Sequence, residues 1–316
     1  MSNVKQLVEL RKIFNEIWQV YITLLKVMVP AIIIVKALDM LGATALLGSM
    51  LAPIMQFVGL PEQMGVVWAT AILTNVYTAM VVFVNVSDTL ALTTAQVSVI
   101  GILILISHSI PIEGAVAKMV GVSWRITIVL KILGGLLLAG AVNSLYLFFD
   151  YQQEPAVLLW QGTVSDESLG QWAKDQVILI VSIYFIIATL IIGLGVLRKL
   201  GIEKLMHLML SPILKLIGIT KAASNITIIG LTLGMSFGAG LLIKEVKSGT
   251  VSKQDVLLSI VFLSLAHSLI EDTLLILLLG ADVGAILWLR ILFAVVVTML
   301  FAKWLQKREA LKEQGE

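Results

Sequence analysis

Residues 177–196 run for twenty positions without one charged side chain. About 18–20 such residues carry a helix across the hydrocarbon core of a bilayer. Two further stretches are nearly as apolar: 17–38, interrupted by Lys26 and Lys36, and 285–302, interrupted by Arg290. Only 13% of the 316 residues are charged, where a soluble domain carries roughly 25%. Mean hydropathy is +1.02. A chain of this kind must satisfy its backbone inside lipid, and helices do so segment by segment. The expectation is an all-α polytopic membrane protein.

The formal net charge of +2 implies no nucleic-acid partner. Cysteine is absent, which excludes disulfides, thiolate metal sites and a cysteine nucleophile. No nucleophile–base motif, phosphate-binding loop or metal-ligand cluster stands out, so neither an enzyme, a metal nor a cofactor is expected.

An internal repeat organises the chain. MLAPIMQFVGL begins at Met50 and MLSPILKLIGI at Met209, identical at five of eleven positions with an offset of 159. The same offset aligns His108-Ser109 with His267-Ser268, Glu113 with Asp272, and Lys131 with Arg290. It also aligns Thr93-x-x-Gln96 with Ser252-x-x-Asp255, the spacing of a capping box that opens a helix. The expected division is a lead-in helix at 1–14, repeat 1 at 15–148, a linker at 149–174, repeat 2 at 175–306 and a tail at 307–316. Each repeat reads as a span (17–38; 177–196), then an amphipathic interfacial segment interrupted by Pro53 or Pro212. An apolar stretch with a polar or glycine-rich middle follows (65–84; 226–243). A helix broken near its histidine (95–120; 256–279) and a last span (126–148; 285–302) complete the unit.

The third segment decides the topology. If it is a re-entrant hairpin, each repeat crosses three times and the copies are inverted. Lysines and arginines concentrate on cytoplasmic loops. The inverted arrangement gathers Lys118, Arg125, Lys199, Lys204, Lys215 and Lys221 on the side of both termini. Asp39, Glu62, Asp150 and Glu154 then fall outside. The expected fold has six spanning helices, two hairpins and two interfacial helices in a bacterial inner membrane, with both termini cytoplasmic. Trp18, Trp160, Trp172 and Trp304 lie near the expected boundaries, as an aromatic belt would.

The order of elements, the paired ML[AS]PI segments and the paired His-Ser breaks resemble the nucleoside-recognition, or Gate, domain family over residues 15–306. That family includes the core of concentrative nucleoside transporters, the membrane part of bacterial ferrous-iron transporters and the spore-maturation membrane proteins. The resemblance implies inverted repeats and a transport role. The hairpin at 65–84 lacks the Gln and Glu with which nucleoside transporters hold their ligand, and the cysteine of the iron transporters is missing. The likeness therefore speaks more for the fold than for a particular solute.

Polar residues inside these apolar segments are the candidate site. Intramembrane ionisable groups are costly and are functional candidates by default. Ser107, His108, Ser109 and Glu113 surround the first break, where Pro111 removes a backbone donor. His267, Ser268, Glu271 and Asp272 surround the second. Each histidine either brace its break through a backbone carbonyl or handle a ligand or proton. Thr74, Asn75 and Thr78 at the first hairpin tip, and Ser236 at the second, offer neutral hydrogen-bonding groups. Two charge pairs are expected, Glu113 with Lys131 and Asp272 with Arg290, acting as helix clamps or as gates.

The expected function is secondary transport of a small polar solute, nucleoside- or nucleobase-like, coupled to H+ or Na+. Alternating access would turn about a midplane site between the hairpin tips and the broken helices. The alternative is a non-transporting membrane module of the same fold acting through a protein partner. Expected partners are the small-molecule solute and the lipid bilayer, with homo-oligomerisation left open.

Overall fold

The computed structural model describes residues 2–87, 90–160, 168–233 and 251–313. The described residues form helices joined by short turns. In chain order these are α1 (Ser2–Met40), α2 (Ala43–Phe57), α3 (Met64–Leu73), α4 (Val76–Ser87), α5 (Thr94–Ser107), α6 (Ile110–Met119) and α7 (Trp124–Phe148). They continue with α8 (Leu169–Lys199), α9 (Ile202–Ile217), α10 (Lys221–Leu233), α11 (Lys253–Ala266) and α12 (Glu271–Leu277). A π-helical segment, Gly284–Leu289, then leads into α13 (Arg290–Glu313). Among the described residues, six stretches are long and apolar enough to cross a membrane, with α5–α6 and α11–α12 each counted as one.

Burial separates centre from periphery. In the apolar windows of Thr94–Met119 and Lys253–Leu277, 72% and 78% of residues are buried, against 17% in the windows of α1 and α8. The two interrupted helices are therefore the middle of the bundle. Leucine, isoleucine and phenylalanine on α1 and α8, such as Ile33, Ile34 and Phe185, stay exposed, as a lipid-facing surface requires.

Both central helices open as their sequences direct. Thr93 and Gln96 form a reciprocal capping box at α5, and Ser252 with Asp255 does the same at α11. Both also end alike. His108 and His267 turn to extended backbone, and Ser109 and Ser268 follow with positive φ of 55° and 47°. A non-glycine residue held there costs of order 1–3 kcal/mol and persists only where its surroundings over-determine it. The second break thus forms without a proline.

The first hairpin is two short helices packed on each other, α3 and α4, interrupted at Thr74 and Asn75. At 1.5 Å per residue they are about 15 and 18 Å long, well short of the roughly 30 Å hydrocarbon core. Of the second expected hairpin, α10 is described; Ser236 and the rest of 234–243 lie outside the described residues.

Several boundaries differ from the sequence reading. Pro53 and Pro212 lie inside continuous helices, α2 and α9. A proline removes one main-chain donor, and here the turns on both sides carry the helix through. The lead-in is not separate: α1 runs unbroken from Ser2. The linker ends early, because α8 starts at Leu169. Residues 152–160 of the linker dock on the bundle. Thr94 and Ala95 at the start of α5 donate backbone N–H to Glu154 and Gln152, and Ala156 donates to Leu92. Leu159 and Trp160 both donate to the carbonyl of Leu278, just beyond α12. Trp160 is accordingly buried, its indole donating to Ser182 Oγ at 2.9 Å, rather than part of an exposed belt.

Candidate functional site

The two breaks meet. His108 ends α5 in one half of the chain and His267 ends α11 in the other, and their Nε2 atoms lie 3.0 Å apart. Glu113, in the first turn of α6, places Oε1 at 3.2 Å from His267 Nε2 and 3.5 Å from His108 Nε2. Asp272, in the first turn of α12, places Oδ2 at 3.7 Å from His108 Nε2 and 4.0 Å from His267 Nε2. All four residues are at least nine-tenths buried. Four ligand-type side chains, two from each half, converge in the middle of the bundle.

The chemistry of this centre follows from its hydrogen bonds. His108 Nδ1 lies 3.0 Å from the Ile104 carbonyl, and His267 Nδ1 lies 2.9 Å from the Leu263 carbonyl. A carbonyl oxygen only accepts, so each Nδ1 carries the hydrogen and each neutral ring presents Nε2 as a lone pair. With both rings neutral, two lone pairs face each other at 3.0 Å beside carboxylate oxygens; a proton on one Nε2 turns the same contact into a hydrogen bond. Asp272 Oδ2 has no hydrogen-bond donor among the described residues.

Lys131, on α7, is fully buried and serves the first break in two ways. Its ammonium lies 2.8 Å from Glu113 Oε2. It also donates to the carbonyls of Ile106 and His108 at 3.0 Å each. Those carbonyls lose helical partners where α5 stops, and the lysine supplies a donor. Glu113 is thereby oriented, with Oε2 on Lys131 and Oε1 towards the histidines. Ser107 Oγ donates to the Lys131 carbonyl at 2.8 Å. Gly135 makes room for that contact, since a Cβ there would stand 2.8 Å from Ser107 Oγ.

The matching pair in the second half is not formed. Arg290 is fully buried, yet none of its three guanidinium nitrogens has a hydrogen-bond partner among the described residues. No ion pair within 4.0 Å joins it to Asp272 among the described residues, although that carboxylate acts on it through space. The longer, branched arginine head does not reach back to its break as the slim lysine does.

The neutral residues at the hairpin tip are engaged internally. Asn75 Oδ1 accepts from the Thr78 N–H at 2.9 Å and from its hydroxyl, capping α4. Thr74 Oγ1 donates to the Thr70 carbonyl. Ser109 bridges tip and break, its N–H donating to Ala71 and its Oγ to the Thr74 carbonyl at 2.6 Å. In the other half, the residue after Ser268, Leu269, donates to the Leu231 carbonyl of α10. The first tip thus holds its break in place, and α10 does the same for the second.

Two features escape a reading of the sequence. The Tyr77 hydroxyl donates to Glu271 Oε1 at 2.8 Å, joining the first hairpin to the second break. Away from the centre, a cavity of about 340 Å³ lies between α1, α2, α3, α4 and α8, with Lys36, Asp39, Glu62, Gln63, Asn85 and Trp172 in its wall. That volume falls in the range of small-molecule pockets. Its polar lining comes from residues near helix ends, which a search for buried charge passes over.

Over 291 residues the chain is 29% identical to an uncharacterized membrane protein, YvoD, of Bacillus subtilis (strain 168), covering 89% of this chain and 91% of the relative. No family model matches the chain, and no solved structure matches it. The likeness runs through both halves, and with six candidate spans it makes this chain a multi-pass, all-helical membrane protein.

Proposed function

We propose that this chain is a secondary transporter of a small polar solute, nucleoside- or nucleobase-like, driven by H+ or Na+. Its halves are inverted copies that rock about the centre where the breaks meet, in a bacterial inner membrane with both termini cytoplasmic. The observation that carries the reading is the contact of His108 with His267, flanked by Glu113 and Asp272. Burying four ionisable side chains at membrane depth is unfavourable for a passive scaffold and usual along a transport path. Broken helices at membrane depth are likewise the mark of transporters built from inverted repeats. The cavity beside the first hairpin, mostly apolar but with Lys36, Asp39 and Glu62 in its wall, gives a solute a place to enter.

A second reading has its own support. The centre is closed, with all four residues buried, as a non-transporting module working through a protein partner would have it. Uptake separates the two. Purified protein in liposomes, under an imposed pH or Na+ gradient, is expected to accumulate labelled uridine, adenosine or hypoxanthine above empty liposomes. Glu271→Gln should lower that uptake. Absence of accumulation for every probe under both gradients, with folded and inserted protein, rejects transport of this class and leaves the module.

A further inference from the structure

We propose that His108, His267, Glu113 and Asp272 form a binding site for one divalent first-row transition metal, zinc being the tetrahedral match. The inference is independent of whether the chain transports. Ligands about 2.0–2.1 Å from a tetrahedral zinc lie about 3.3–3.4 Å from one another. The three closest separations here are 3.0 Å between the two Nε2 atoms and 3.2 and 3.5 Å from these to Glu113 Oε1. They outline one face of such a tetrahedron. Asp272 Oδ2, at 3.7 and 4.0 Å from the nitrogens, stands outside that face and completes the set by moving inward when the ion binds.

The lone-pair arrangement calls for a cation. With both Nδ1 atoms donating to carbonyls, both Nε2 atoms are acceptors in the neutral rings that a metal requires, and the ionised Glu113 Oε1 and Asp272 Oδ2 are acceptors as well. Four electron-rich atoms held this close repel one another unless a positive species lies among them. The outer contacts are those of a metal site. Each histidine is fixed through its other ring nitrogen to a carbonyl, and Glu113 is fixed through its other oxygen to Lys131. Imidazole and carboxylate without thiolate suit Zn2+, Fe2+ or Ni2+ rather than Cu+.

Such an ion draws its ligands evenly from the two halves, His108 and Glu113 from one, His267 and Asp272 from the other. It would bind the closed arrangement and disfavour any state in which the breaks separate, by its differential affinity for the two.

The test uses the full chain in detergent, stripped with a chelator and titrated with Co2+ and Zn2+. The expected result is one Co2+ per chain, with the intense visible bands of four-coordinate cobalt, displaced by Zn2+. His267→Gln and Asp272→Asn should each weaken Co2+ binding at least about 10-fold, the loss seen even for outer-shell partners. His207→Ala, altering the one histidine outside the centre, should bind as wild type does. Asp272→Asn keeps size and shape, so it reports on the site even if His267→Gln fails to fold. Zn2+ should raise the unfolding temperature of wild type and not of Asp272→Asn. Wild type that takes up no Co2+, or an Asp272→Asn variant that binds and is stabilised like wild type, overturns the site and leaves a proton shared between the imidazoles.

Discussion

The hydroxyl of Tyr77 and the carboxylate of Glu271, 194 residues apart in sequence, share a 2.8 Å hydrogen bond. The bond crosses from the hairpin of one half to the break of the other. A hydrogen bond to a charged group contributes about 1.5–3 kcal/mol. Tyr77→Phe is expected to lower stability by about 1–2 kcal/mol, since Glu271 keeps partial access to solvent. Adding Glu271→Gln to Tyr77→Phe should then cost less than it does in wild type. Chemical or thermal unfolding of the four proteins gives the coupling, and strictly additive losses would show that the bond does not form in solution.

Lys131 and Glu113 make a buried ion pair, so removing either member strands the other's charge. Breaking such a pair costs about 3–5 kcal/mol. Glu113→Gln and Lys131→Met should both destabilise, Lys131→Met by more, because it also uncaps the carbonyls of Ile106 and His108. The double variant should recover the charge penalty but not the capping loss. A double variant no better than Lys131→Met alone would mean that the pairing contributes little.

Arg290 should behave differently from its sequence counterpart. Its guanidinium is buried without a hydrogen-bond partner among the described residues, and replacing poorly compensated buried charge with an apolar side chain is often neutral or stabilising. Arg290→Met is expected to be less damaging than Lys131→Met by at least about 2 kcal/mol. Equal losses in a thermal-shift comparison would give Arg290 a partner it lacks here.

Sidedness can be read directly, because the chain has no cysteine of its own. Single cysteines at the exposed positions Val157 and Leu159 should react with an impermeant maleimide added outside. Cysteines at the exposed positions Leu205 and Leu208 of α9 should react only from the cytoplasmic side. Labelling of both sets from one side is incompatible with inverted copies.

Much of the local structure was legible. The capping boxes at Thr93 and Ser252, the two breaks and the interruption at Asn75 follow from residue types whose preferences act within a few positions. The fixed offset of 159 placed His108 and His267 at equivalent points. It could not place them against each other, because a repeat describes each copy and not how the copies pack. For the same reason Tyr77–Glu271 was invisible, and a metal-competent cluster went unseen with its members scattered over 165 positions from His108 to Asp272. Lys131 and Arg290 look interchangeable as charges, but one reaches its carbonyls and the other does not. Pro53 and Pro212 were read as interruptions, because proline's effect on a helix depends on the packing around it.

The docked linker has a mechanical consequence. Ala156 is bonded to the segment leading into α5, and Leu159 to the far end of α12. Three residue steps separate these anchors, and a fully extended chain spans at most about 3.6 Å per step. With the 2.9 Å bond at each end, the leash therefore reaches about 17 Å. Unless backbone bonds give way, the start of α5 and the end of α12 cannot travel apart beyond that reach, so a wider gap between these two helices must open at their other ends.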